Sequence, residues 1–96
     1  MDVLHPKDLD THLGDRIVGW ARGQLQIARS ILDNPGGGLL FATQTIGQAK
    51  SGLHERDEER WADVVGMLDR AEDAAVRREW VASRQLLDDS IAHLAS

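Results

Sequence analysis

The first part of the chain carries apolar residues at the spacing of an α-helix face. Between about Asp8 and Asp33 they recur at alternating steps of three and four residues. This seam consists of Val18, Ala21, Leu25, Ala28 and Leu32. Five more apolar residues, Leu13, Ile17, Trp20, Ile27 and Ile31, widen it to about half of the helix circumference. A face this wide predicts a helix that contacts two neighbours, as in a bundle.

A second seam with the same spacing predicts a helix at about residues 38–52. It consists of Leu39, Ala42, Ile46 and Ala49, and Leu53 continues the spacing. The intervening residues 34–38 contain Pro35 and three glycines, and they predict an inter-helix loop. Ser51 and Gly52 are the only other candidate break before the C-terminal half, so we expect the second helix to end there.

The C-terminal half contains two apolar stripes but only one glycine and no proline. The first stripe, Trp61, Val64, Val65, Leu68, Ala71 and Ala75, predicts a helix at about residues 54–78. The second stripe consists of Trp80, Leu87, Ile91 and Leu94. On one straight helix the two stripes would lie about 110° apart. We therefore predict a turn near Arg77–Val81 and a fourth helix at about 80–95, with a single bent helix as the alternative.

The predicted hairpin of the last two helices resembles one tetratricopeptide repeat. The residues that carry the resemblance are Met67, Ala71, Ala74, Trp80, Ser83, Leu87 and Ser90. The usual turn glycine is missing, and residues 1–52 contain no second copy, whereas a solenoid needs several. We interpret the resemblance as a shared helix-hairpin pattern.

Length and periodicity together predict the fold class. A chain of 96 residues forms one core, so we expect a single helical domain over residues 1–96. The predicted architecture is all-α, a compact bundle of three or four helices, and no alternation of apolar and polar residues indicates a strand.

Composition excludes several classes of function. The absence of cysteine excludes disulfide scaffolds, cysteine zinc sites and thiol catalysis. A net charge of -5 argues against nucleic acid as a partner. No apolar run reaches the ~18 residues of a membrane span and no signal peptide is visible, so we expect a cytoplasmic protein without membrane partners. Nine arginines against two lysines are typical of a GC-rich bacterial or phage genome.

Catalytic and metal-binding motifs are weak. The histidines are His5, His12, His54 and His93, and Asp8 and Asp15 stand four residues before and three residues after His12, so the three could share a helix face. The glycines before Leu39 lack the lysine of a phosphate-binding loop. We expect no cofactor and no metal. The alternative is a small helical metal-binding or hydrolytic enzyme that uses His12, His54 or His93 with nearby carboxylates.

The breadth of the apolar faces predicts a protein-interaction function. We expect more apolar surface than one small chain can bury, and hence a homodimer that also binds a protein partner. Tryptophan at the margin of a stripe is typical of interface anchors, and paired glycines permit close backbone approach. The candidate interface residues are Gly19, Trp20, Gly23, Trp61, Trp80, Leu87 and Ile91. The predicted function is a non-catalytic accessory, adaptor, immunity or inhibitor protein.

Overall fold

The computed structural model describes the backbone of residues 6–95 and the side chains of residues 16–95. It contains four helices, α1 (Pro6–Asp33), α2 (Leu39–Arg56), α3 (Ala62–Val76) and α4 (Trp80–Ala95). Helix α1 packs on α2 and α4, and α3 packs on the same two helices, so the four close into a bundle. The all-α prediction is confirmed. No helix within residues 6–95 has both the length and the apolar character to cross a membrane.

The core is formed by the centres of the predicted seams. All four helices contribute side chains that are almost completely buried: Leu25 and Leu32, Ile46 and Leu53, Val64 and Leu68, and Leu87. Burial of each side chain of this size contributes about 1.5–3 kcal/mol. The middle of each apolar arc therefore provides the main stabilisation of the bundle.

Small residues bring α3 and α4 close together. Ala71, Ala75, Ser83 and Ser90 are buried. The Ser83 hydroxyl donates a hydrogen bond of 2.8 Å to the backbone oxygen of Ala71, which satisfies a polar group inside the core. Ser90 donates to the backbone oxygen of Leu86 within its own helix. Ser83 and Ala71, two small positions of the hairpin pattern, therefore lie where the two helices touch.

The structure corrects the predicted boundary between the second and third helices. Helix α2 continues through Gly52 to Arg56, and α3 begins at Ala62 rather than near residue 54. A Cβ at Gly52 would lie 2.5 Å from Cζ3 of Trp20, so the glycine lets the tryptophan ring pack on the backbone of α2. The chain turns after Asp57 instead, whose carboxylate accepts a hydrogen bond of 3.2 Å from the Arg60 backbone N–H.

The predicted turn between α3 and α4 is confirmed, and it has the hydrogen bonds of a Schellman motif. The Glu79 N–H donates to the Ala74 oxygen at 2.9 Å, and the Arg78 N–H donates to the Ala75 oxygen at 3.0 Å. This closure requires a left-handed residue, and Arg78 has φ 63°. Glycine normally occupies this position because a side chain is strained there.

Replacing Arg78 with glycine is expected to stabilise the protein by about 0.5–1 kcal/mol. The change removes the left-handed strain, and part of that gain is offset by the greater freedom of glycine in the unfolded chain. Equilibrium urea unfolding measures the effect. Arg77→Gly is the matched control, because Arg77 has φ -79° and gains nothing from glycine. A loss of stability in both variants would contradict the left-handed turn.

Candidate functional site

Three large apolar side chains are exposed along one side of α1 and α2. Trp20, Ile27 and Phe41 expose 41%, 48% and 59% of their surface. Trp20 and Ile27 are seven residues apart, so they lie on the same face of α1. We call this surface, defined by Trp20, Ile27 and Phe41, the α1–α2 face. Its side chains are of the kinds that are common at the centre of protein interfaces.

The Trp20 ring connects the two helices of this face. It crosses from α1 to the backbone of α2 at Gly52. On α2, Phe41, Gln48 and Gly52 follow one another at steps of seven and four residues, so they share one stripe. Phe41 therefore lies on the same side of α2 as Gly52, about 16 Å away along the helix. An open hollow lies beside the ring, and its lining includes Gln44, Gln48, Ser51 and Gly52.

The charge of the α1–α2 face is concentrated at one end. Arg16 and Arg56 line a hollow together with Ile17 and Trp20. The other hollow beside Trp20, which is formed mainly by α2, is lined by Glu55 among other residues. Between Arg16 and Ile27, the residues that share the outward face of α1 carry no charge. The end of the face around Trp20 therefore carries charges of both signs, since Lys50 also lines the hollow on α2.

Two other cations of α1 and α2 form ion pairs within the bundle. Arg29 binds Asp88 on α4 at 2.9 Å and also Asp33, which in turn contacts Arg84. The hydrogen bond to Asp88, followed by that to Asp33, raises the pKa of Arg29 above its ordinary value. These pairs join α1 to α4 at the side away from Trp20, and because they are partly exposed each contributes little to stability.

Lys50 forms ion pairs that join α2 to α3. Its ammonium group lies 2.8 Å from Asp69 and 3.0 Å from Glu72. The hydrogen bond to Asp69 raises the pKa of Lys50, partial burial opposes this shift, and the contact with Glu72 adds to it. Ion pairs therefore connect the α1–α2 layer to α4 on one side and to α3 on the other, whereas the α1–α2 face has no neighbouring helix in the described part of the chain.

The structure divides the seven candidate interface residues into three groups. Trp20, Gly19 and Gly23 lie together on the outward side of α1. Trp80 and Ile91 are half-buried on α4. Trp61 and Leu87 are buried in the core, with 7% and 0% of their surface exposed. A partner could not contact either of these last two side chains without opening the bundle, so they do not belong to its surface.

Trp61 is buried because it precedes α3 directly and turns its ring inward. The guanidinium of Arg60 covers the ring, 4.6 Å from its centroid. Conversely, Ile27 is exposed although its periodicity assigned it to the flank of the first seam, and Phe41, two residues after Leu39 of the second seam, is exposed as well. Their only sequence signal was their position at the margin of an apolar arc. That position does not show whether the margin faces a neighbouring helix or solvent.

The histidines do not converge on a site in the described part of the chain. His5 and His12 lie outside the described side chains. His54 is exposed on α2 beside Glu55 and Asp69, and His93 is exposed on α4. Among the side chains of residues 16–95, no three histidines or carboxylates are grouped so that they could hold a metal ion. The enzyme alternative stays a prediction.

Comparison with known proteins found no relative of this chain. No protein-family model, curated protein or solved structure matches the chain. The function must therefore be inferred from the α1–α2 face itself.

Proposed function

We propose that this protein is a non-catalytic protein-interaction module of the bacterial or phage cytoplasm, which acts as a homodimer through the α1–α2 face. The observation that carries the proposal is the exposure of Trp20, Ile27 and Phe41 on one side of two neighbouring helices. Large apolar side chains left exposed on neighbouring helices are typical of interaction sites, because covering them removes apolar area from water. Accessory, adaptor, immunity and inhibitor proteins act through such surfaces.

Substitution of Trp20 by aspartate is expected to weaken self-association by at least about 100-fold, since each dimer loses two aromatic anchors and gains two charges. Sedimentation equilibrium at micromolar concentrations measures the effect against the wild-type dimer. Circular dichroism checks that the variant keeps its helices, because Trp20 also covers Gly52.

Val81→Asp is the matched control for this experiment. Val81 is 74% exposed, but it lies at the start of α4 and outside the α1–α2 face. We expect this variant to associate like the wild type. A wild-type protein that remains monomeric throughout the concentration range would refute the homodimer, and equal weakening in both variants would refute the assignment to the α1–α2 face.

A further inference from the structure

The link between α3 and α4 is short and contains no glycine or proline. It consists of Arg77, Arg78 and Glu79, which lie between the end of α3 and the start of α4. Arginine and glutamate are residue types that favour helices. The turn nevertheless holds Arg78 at φ 63°, a conformation that is strained for a residue with a side chain. The chain therefore reverses its direction at a strained point.

Exposed apolar side chains flank the same link. Val76, the last residue of α3, exposes 62% of its surface, and Val81, the second residue of α4, exposes 74%. In the described part of the chain, the other large apolar side chains that are exposed to this degree lie on α1 and α2. Strain and uncovered apolar area therefore coincide at one place in the C-terminal half.

Helix α4 is held in the bundle by contacts that lie outside the link. The Ser83 hydroxyl donates to the Ala71 oxygen on α3, and Asp88 binds Arg29 on α1. Leu87 is completely buried in the shared core. These contacts form equally well between α4 of one copy and α1 and α3 of another, because the atoms that meet are the same. The place that α4 occupies therefore fits one particular helix of a second copy, its α4.

We propose that the link is a hinge at which two copies of the chain exchange α4, so that α4 of each copy packs on α1 and α3 of the other. Opening the link removes the left-handed strain at Arg78 in both copies, while the contacts of α4 are kept. The two opened links lie near the twofold axis, where Val76 and Val81 of both copies come together and lose exposed apolar area. The exchange does not use the α1–α2 face and is independent of the proposed function.

Arg78→Gly tests the contribution of strain, because glycine adopts a positive φ readily and removes the advantage of the open link. Exchange requires α4 to leave its bundle, so the protein is refolded from urea at high concentration. The Trp20→Asp background suppresses association through the α1–α2 face. In this background Arg78→Gly is expected to weaken the exchanged dimer about 5- to 30-fold, since strain is relieved in two copies. Size-exclusion chromatography over a range of refolding concentrations measures the effect.

Arg77→Gly is the matched control in the same link. Arg77 has φ -79°, so the change makes the link more flexible without relieving strain. We expect this variant to form the dimer as readily as the Trp20→Asp parent. Equal weakening by the two glycine variants would overturn the role of strain at the hinge, and a parent that refolds only as a monomer would overturn the exchange.

A complementation experiment tests the exchange itself. Leu68→Asp places a charge in the core from α3, and Leu87→Asp places one there from α4, so each variant alone is expected to be unfolded. When the two are refolded together, exchange assembles one bundle without a buried aspartate. Its α1, α2 and α3 come from the Leu87→Asp chain and its α4 from the Leu68→Asp chain. We expect the mixture to regain up to half of the wild-type helical signal in circular dichroism.

The matched control is a mixture of Leu68→Asp with Leu25→Asp. Leu25 is buried on α1, so every bundle that exchange can assemble from these two chains keeps an aspartate in its core. We expect this mixture to stay unfolded. No gain of helix in the first mixture, or an equal gain in both, would overturn the exchange of α4. A homodimer that forms only through the α1–α2 face gives no gain in either mixture, so this result would leave the proposed function intact.

Discussion

Replacement of Trp61 by alanine is expected to destabilise the protein by about 3–5 kcal/mol, the range for large aromatic side chains removed from a core. Trp61 is 7% exposed, belongs to the core cluster and is the N-cap residue of α3. Its removal leaves a cavity and also exposes the site that the Arg60 guanidinium covers. Small domains are stable by about 5–15 kcal/mol, so the variant should unfold at far lower urea concentration.

Trp80→Ala is the control for this prediction. Trp80 is only half-buried at the first residue of α4, so its removal is expected to cost about 1–2 kcal/mol. Equilibrium urea unfolding of both variants, followed by far-ultraviolet circular dichroism, measures the two losses independently of tryptophan fluorescence. If Trp61→Ala lost no more stability than Trp80→Ala, Trp61 would lie at the surface, as an interface anchor must.

The seams of the core could be predicted from the sequence because each depends only on spacing within its own helix. Ala21, Leu25, Ala28 and Leu32 follow steps of four and three, and all are buried. The turn between α3 and α4 was predicted from a shift in the phase of two stripes, although Arg78 is not a turn-forming residue. Phase is informative here because a straight helix would turn one of the stripes towards water.

Gly52 shows why the second boundary could not be predicted. A glycine after a serine is typical of a helix end, and nothing nearby in the sequence contradicts that interpretation. The reason for Gly52 is the ring of Trp20, which lies on another helix. A glycine that accommodates a distant side chain and a glycine that ends a helix have the same local sequence signal.

The candidate interface was only partly predictable for a related reason. Trp20 and Trp61 both lie at the margin of an apolar stripe, and the sequence gives them the same interpretation. The order of the helices around the bundle decides which margin faces a neighbour, and that order is a property of the whole fold. In this bundle Trp61 is buried, whereas Trp20, Ile27 and Phe41 are exposed.

Leu87→Ala is expected to destabilise the protein by about 2–5 kcal/mol, the range for a buried leucine replaced by alanine. Leu87 has no exposed surface and belongs to the same core cluster as Leu25, Ile46 and Leu68. The tight packing of α3 and α4 around Ser83 limits how far the cavity can collapse, which favours the upper part of the range. The midpoint of urea unfolding, at one fixed protein concentration, measures the loss.

Leu40→Ala is the matched control, since it removes the same atoms from a leucine that is 68% exposed, and it should change stability by less than about 0.5 kcal/mol. Dimerisation adds to the stability of a folded chain by mass action, so both variants must also be compared at several concentrations. A loss that arises in the core is the same at every concentration. If Leu87→Ala instead lost stability only where the wild type is dimeric, Leu87 would contact the second copy, and the packing of α4 against the other three helices would have to differ from the bundle described above.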